Sequence, residues 1–401
     1  MLSDVSLLPQ WLVFSLVGLP QFSETVYSPS MPDIAQSLHT SVPMVEYTLT
    51  IYLAAFSLGM LFWGKMSDVH GRKPSVAAGL FIYVLGCVGC YYSPTITMLL
   101  ASRFLQAFGG SAGSVIGQAI LRDVFHGKAL SKAYATMSSA LGVPPAIGPV
   151  VGGIIAQYFD WSYVFVFLTM VGILVVGCVA SLLPETLARE GRKNHGLVRI
   201  FSLLIRDRKV LVYTWLVGCC SGLMFSYFSE GSFYLIEMLG LTPFHYGMTY
   251  VCIAAAMIGG GRVANMLHER FSVEQILPIG VGVMVIATGM FSLCAVATHY
   301  GYLPPLAMVI ATVACHMTTM VGRCIVVSTS LSVALAEYRW CAGTASSIFG
   351  GMYYVLISLA TFGLGTLHNG TLLVMPLYFL ALSVIMFVAL WFLRTDAATQ
   401  H

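Results

Sequence analysis

Four ionisable residues stand inside stretches that are otherwise apolar. They are Glu24 in SLVGLPQFSETVYSPS, Arg103 in LLASRFLQAFGGSAGS, Glu230 in LMFSYFSEGSFYLI and Arg323 in CHMTTMVGRCIVV. A carboxylate in a low-dielectric cavity holds its proton more tightly, and a nearby guanidinium weakens that hold. Such a pair can take up and release a proton as its surroundings change. An ionised side chain at the centre of a bilayer costs about 2.5–3.5 kcal/mol on insertion scales, so each must face water or a partner. Helical spacing sets Gln21, Glu24 and Ser28 on one face, and Arg103, Gln106, Gly110 and Ser114 on another. His316, Met320 and Arg323 recur at i, i+4 and i+7. Tyr27 follows Glu24 by three residues and Phe233 follows Glu230 likewise. The expectation is a central polar site in which Glu24 and Arg103 handle a proton. Gln21, Glu24, Tyr27, Gln106, Glu230, Phe233, His316 and Arg323 would contact a small molecule there. Arg103, Arg323 and His316 favour an anionic or zwitterionic compound, whereas Glu24 and Glu230 favour a cation. Glu46 and Glu237 are expected at the membrane surface, without a role.

The elements that position these groups follow from composition. Of 401 residues, 58% are hydrophobic and 9% charged, against about a quarter charged in a soluble domain. Apolar runs of about 20 residues, the length that crosses a bilayer, recur along the chain. Twelve helical spans are expected, near 9–31, 45–65, 74–92, 96–119, 132–157, 161–183, 210–237, 245–266, 276–298, 303–331, 342–366 and 371–393. Helices are required because lipid offers no partner to a free backbone group, and the runs lack the alternation of barrel strands. The fold class is an all-α polytopic membrane protein. The first ten residues carry no Lys or Arg and no cleavage site follows, so the first apolar run is expected to stay as a span.

Seventeen of the nineteen Lys and Arg residues fall in segments on one side of that arrangement, around 65–73, 122–132, 189–209 and 262–270, and at Arg339 and Arg394. The opposite loops, 32–44, 93–95, 158–160, 238–244, 299–302 and 367–370, have none. The positive-inside rule then puts both termini in the cytoplasm. The longest polar segment divides the chain into a six-helix bundle over 1–188, a cytoplasmic linker over 189–209 and a second bundle over 210–401. GKMSDVHGRK (64–73) and GRVANMLHER (261–270) occupy corresponding places in the two halves. Parallel repeats around a midplane site are a transporter architecture. The ten Cys residues lie in or at the ends of spans, which gives no disulfide framework. His39, His245, His299 and His368 fall near the basic-free loops without ligand spacing, so no metal is expected.

Several motifs carry a family resemblance. GKMSDVHGRK resembles the cytoplasmic loop signature of the major facilitator superfamily: Gly64, Asp68, Gly71, Arg72 and Lys73 match it, with Val69 in place of a base. Arg103-Phe-Leu-Gln106 resembles the family's Arg-x-x-Gln-Gly, with Ala107 in place of the glycine. Gly142-Val-Pro-Pro145-Ala-Ile-Gly148-Pro149-Val-Val-Gly152-Gly153 resembles the motif of its exporters, where Gly and Pro kink the helix and let backbones approach. SETVYSPSMPDIA, LPETL, SYFSEGSFYLIEMLGLTP and AGTASSIFG are similar to the twelve-span drug:proton antiporters of the bicyclomycin-resistance type, although Ser162 stands where that branch usually has Arg. The resemblance covers nearly the whole chain. It implies two six-helix bundles, a gating role for the 64–73 loop, and alternating access. It further implies proton-coupled export of small organic molecules, most readily drugs or toxic metabolites, across a bacterial inner membrane. A dedicated exporter of one polar or anionic metabolite, such as a polycarboxylate siderophore, is the alternative, as is an importer on the same scaffold. A non-transporting receptor is the rival from another class. The partners expected are the small molecule, protons and lipid, with no nucleic acid, no cofactor and no second copy required. No nucleophile–base constellation marks an enzyme.

Overall fold

The computed structural model describes residues 9–125, 129–130, 133, 136–137, 142–187 and 197–398. The expected basic segments around 122–132 and 189–209, the first half of the fifth span and both chain ends lie partly or wholly outside these residues. Fourteen α-helices order the described chain. They are α1 (Gln10–Thr25), α2 (Met31–Ser37), α3 (Val42–His70), α4 (Arg72–Tyr91), α5 (Ile96–Val124), α6 (Val143–Tyr158), α7 (Tyr163–Leu182), α8 (Leu197–Leu204), α9 (Arg208–Ser232), α10 (Pro243–His268), α11 (Val273–His299), α12 (Pro305–Val333), α13 (Ala342–Leu367) and α14 (Val374–Ala398). Each expected span overlaps one of them. Among the described residues, nine helices are long and apolar enough to cross a membrane. The exceptions among the expected spans are α1 and α6, at 16 described residues each, and α14, whose apolar part is Val374–Leu390.

Local chemistry sets the boundaries. The first span was expected to run to residue 31, but α1 stops at Thr25. A 3₁₀ turn over Ser28–Ser30 and the short α2 follow. Pro29 and Pro32 lack the amide donors that would bond back to Thr25 and Ser28, which interrupts the helical ladder, while Val26, Tyr27, Ser30 and Met31 keep α-region dihedrals. Gly71 ends α3 at φ +108°, a conformation that a side chain would strain. Thr242 caps α10 by accepting from the His245 amide, and Ser272 with Gln275 forms a capping box on α11. α9 runs into a π-helical turn, Phe233–Met238.

α5 packs on α3 and α4, and α11 packs on α12. Two extensive seams join the N-terminal helices to the C-terminal ones: α3 against α13, and α6 against α10. These are the second span with the eleventh, and the fifth with the eighth. A six-span repeat that maps second onto eighth and fifth onto eleventh exchanges the two seams.

Candidate functional site: a cavity between the two helix sets

A cavity of about 370 Å³ opens between the sets. Gln21, Glu24 and Thr25 of α1 face Ser221, Met224, Phe225 and Phe228 of α9 across it. Arg323 of α12, and Tyr353 and Tyr354 of α13, complete its polar and aromatic wall, and Gly142 and Pro145 border it too. Val217, Val327 and Leu331 line it as well, toward the end of the helices that carries the basic loops.

Glu24 is buried, at 1% exposed, and its Oε1 has no hydrogen-bond partner. Arg103 is fully buried one layer behind. Its guanidinium carbon sits 4.5 Å from the centre of the Tyr27 ring and 4.3 Å from that of Tyr52. This is a double cation–π arrangement, worth about 2 kcal/mol per ring when desolvated. Arg103 Nη1 donates to Gln106 Oε1 at 2.6 Å and to the Ser23 carbonyl at 3.5 Å, while Nε and Nη2 have no partner. Gln106 in turn donates to Cys87 Sγ at 3.1 Å, and the Tyr27 hydroxyl pairs with Thr48 at 2.8 Å. Tyr27 and Gln106, expected on the cavity wall, therefore hold Arg103 from behind. Tyr52, like Ser221, Tyr353 and Tyr354 on the cavity wall, is absent from the expected set, and only its helical phase on α3 would have flagged it.

On the opposite wall, Arg323 Nη2 donates to Ser221 Oγ at 3.3 Å, and its Nε has no partner. His316 is elsewhere. It stacks on Tyr227 with ring centres 3.7 Å apart and lies beside Phe379. Seven helical residues separate His316 from Arg323, about 10 Å along the axis at 1.5 Å per residue. One helical face therefore does not mean one site.

Glu230 and Phe233 are also away from the cavity, near the end whose loops lack Lys and Arg. Glu230 accepts from His368 Nδ1 at 2.9 and 3.0 Å, and Phe233 meets the His368 ring edge-on, centres 6.2 Å apart. Glu46, expected at the surface, is fully buried there and accepts from Ser229 at 3.2 Å. Its helix starts at Val42 and presses Glu46 against the C-terminal set. Glu237 is exposed, as expected.

The same end is sealed by close packing. Ser28 donates to the Phe228 carbonyl and receives a hydrogen bond from Tyr246, whose own oxygen pairs with Tyr250. The Gly/Pro motif forms the rest of the seal. A Cβ on Gly152 would come 2.8 Å from the Val26 carbonyl carbon, one on Gly153 would come 2.5 Å from the Pro243 oxygen, and one on Gly148 would overlap Thr25. Gly247 of α10 is equally tight against Pro149, whose carbonyl carbon would lie 3.0 Å from its Cβ.

At the basic end, the 64–73 loop is tied to its own helix set. Arg72 donates to Asp68 at 2.6 Å, to Asp123 at 2.8 Å and to Ser67 at 2.8 Å. Glu185 accepts from the amides of Arg72 and Lys73, and Lys73 Nζ reaches the Ala180 carbonyl. Gly64 faces Ser347 of α13, with room for a Cβ at 3.6 Å.

The chain is similar to known transporters over nearly its whole length. It is 32% identical over 383 residues to an uncharacterized transporter of Rickettsia bellii (strain RML369-C), covering 95% of each chain. It is 29% identical to the bicyclomycin resistance protein homolog of Haemophilus influenzae (strain ATCC 51907 / DSM 11121 / KW20 / Rd), over 84% of each. The fold superposes on the xylose transporter XylE from E. coli, in a partially occluded inward-open conformation, with a TM-score of 0.73 at 12% identity and 97% coverage of both chains. The family model that matches residues 13–361 is that of the Major Facilitator Superfamily, to which the chain belongs.

Proposed function

We propose that this transporter is a proton-coupled exporter of small organic molecules that works by alternating access in a bacterial inner membrane. In this reading twelve helices form two six-helix halves, and the basic loops and both termini are cytoplasmic. The single observation that carries it is Glu24, a carboxylate with an unpartnered oxygen on the cavity wall. Behind it Arg103 is clamped between two tyrosine rings, with two of its nitrogens also unpartnered. A group whose hydrogen bonds are not closed within the protein can exchange its proton for substrate contacts at little cost. With the external end sealed and the cavity lying toward the cytoplasmic end, substrate enters from inside. The external seal then breaks as the halves rock, Glu24 takes a proton from outside as substrate leaves, and release of that proton on the cytoplasmic side resets the pump. The likeness to a bicyclomycin resistance protein homolog supports export of drugs or toxic metabolites.

Efflux of dyes and drugs from cells stripped of their major pumps tests the reading, with a proton uncoupler as control. Uncoupler-sensitive efflux is expected. Glu24→Gln should abolish uphill transport in proteoliposomes and leave downhill exchange intact. Pumping against a gradient at the wild-type rate by that variant would sink the assignment. One observation favours a second substrate class: Arg323 offers an unpartnered N–H on the cavity wall, which suits an anionic metabolite. Efflux of organic anions in place of lipophilic cations would select it.

A further inference from the structure

Glu46, Glu230 and His368 converge at the sealed end, outside the cavity. Their ligand atoms all lie within 4.8 Å of one another. The Glu46 and Glu230 side chains are 0% and 1% exposed as residues, and the His368 side chain is 11% exposed, leaving one narrow route from solvent. Glu46 Oε1 accepts from Ser229, while its buried Oε2 has no N–H or hydroxyl donor and lies against the Glu230 carboxylate. No Lys or Arg occurs in any loop of this end. Two buried carboxylates with a single histidine thus have no fixed cation to balance them. Buried unpaired charge is costly enough that such groups pair or coordinate metal.

We infer that Glu46, Glu230 and His368 form a binding site for a divalent first-row cation of the zinc class, entering from the external side. Zinc accepts imidazole nitrogen at about 2.0–2.1 Å and carboxylate oxygen at about 2.0–2.2 Å, usually in tetrahedral array, with water at a position the protein leaves open. Tetrahedral donors at those lengths are about 3.4 Å apart, so side-chain rotations of an ångström or so close the present cluster on an ion. The ion takes the place of the Nδ1 proton that His368 now donates to Glu230; the ring keeps one proton, on Nε2, so that it binds as a neutral imidazole, and any proton in excess of that is released to water. Glu46 belongs to α3, whereas Glu230 and His368 belong to the C-terminal set. A bound cation therefore staples the two sets and holds the external end shut. On the transport reading above, external zinc is then an inhibitor.

The test uses the purified full-length protein, with zinc binding followed by competition against a chromophoric chelator. One zinc per chain is expected, weakened at least tenfold by Glu46→Gln and by His368→Gln, and unchanged by His299→Ala, which removes the histidine at the end of α11, outside the cluster. Thermal unfolding in EDTA shows that each variant is folded. Equal binding by wild type and both cluster variants would mean adventitious surface zinc only and overturn the site. Spin labels at Tyr92 and Tyr300, exposed on the same end of the two sets, read the staple. Zinc should collect their distances into the shortest population, and binding without that change overturns the stapling. Both readouts are free of substrate, so they can fail while the export reading stands, and the reverse.

Discussion

Gly153→Ala puts a single methyl into the seam between α6 and α10. Its Cβ would lie 2.5 Å from the Pro243 oxygen, 3.2 Å from the Pro243 carbonyl carbon and 3.3 Å from the Phe244 Cα. Ordinary carbon contacts begin near 3.4 Å, so the first of these is about 1 Å too short, and the atoms it meets are backbone that no rotamer change can move. Overpacking of this kind costs about 1–3 kcal/mol. The cost falls on the conformation in which the end whose loops lack Lys and Arg is shut, because parting α6 from α10 relieves it. At about 1.4 kcal/mol per tenfold, the equilibrium between forms shut and open at that end should move by roughly fivefold to 150-fold toward open. Distances between spin labels at Tyr92 and Tyr300 in a background without other reactive cysteines would measure it, as growth of a longer-distance population. Unfolding temperature should fall by only a few degrees, since the strain is released by opening. A distance distribution identical to the wild type in a folded variant would refute the reasoning, because the seam would then have absorbed an ångström that the packing does not allow.

Arg103→Met exchanges a buried charge costing about 2.5–3.5 kcal/mol for the loss of two ring contacts of about 2 kcal/mol each. Thermal stability should therefore shift little, while coupled transport in proteoliposomes falls to background. Arg103→Lys keeps the charge but loses the planar stacking, and it should retain downhill exchange. Arg323→Gln should weaken anionic substrates by at least tenfold in competition assays and spare cations; equal loss across both classes would make Arg323 architectural. Arg72→Ala strands Asp68 and Asp123 without their guanidinium bonds at the basic end, while Glu185 keeps its bond to the residue-72 amide. It should cost about 1–3 kcal/mol in urea unfolding, less than the 3–5 of a fully buried pair, since Asp68 is 40% exposed.

The spans were legible because each is a property of one stretch of chain: an apolar run, flanked by a cap or a basic loop, must be a helix in lipid. The same holds for Glu24, whose burial and phase with Gln21 both follow from its own helix. What the sequence could not carry are distances between helices. Glu46 looked superficial because the apolar pattern starts beside it, yet it is buried by α9, a helix some 180 residues away. His368 looked like a loop residue, and it is one; its chemistry comes from Glu230, 138 residues away. Tyr52 drew no notice in an apolar run, and it is half of the clamp on Arg103. The errors share a direction. Each placed a polar group where its own segment would leave it, and each was moved by packing on a distant helix: Glu46 across the boundary between the two sets, His368 and Tyr52 within their own set. Contacts across that boundary are also the ones that must break and reform if the two sets rock. A conformational cycle would thus part Glu46 from Glu230 and His368, which stay together in the C-terminal set, and that is why the distance between Tyr92 and Tyr300 is informative in both experiments that use it.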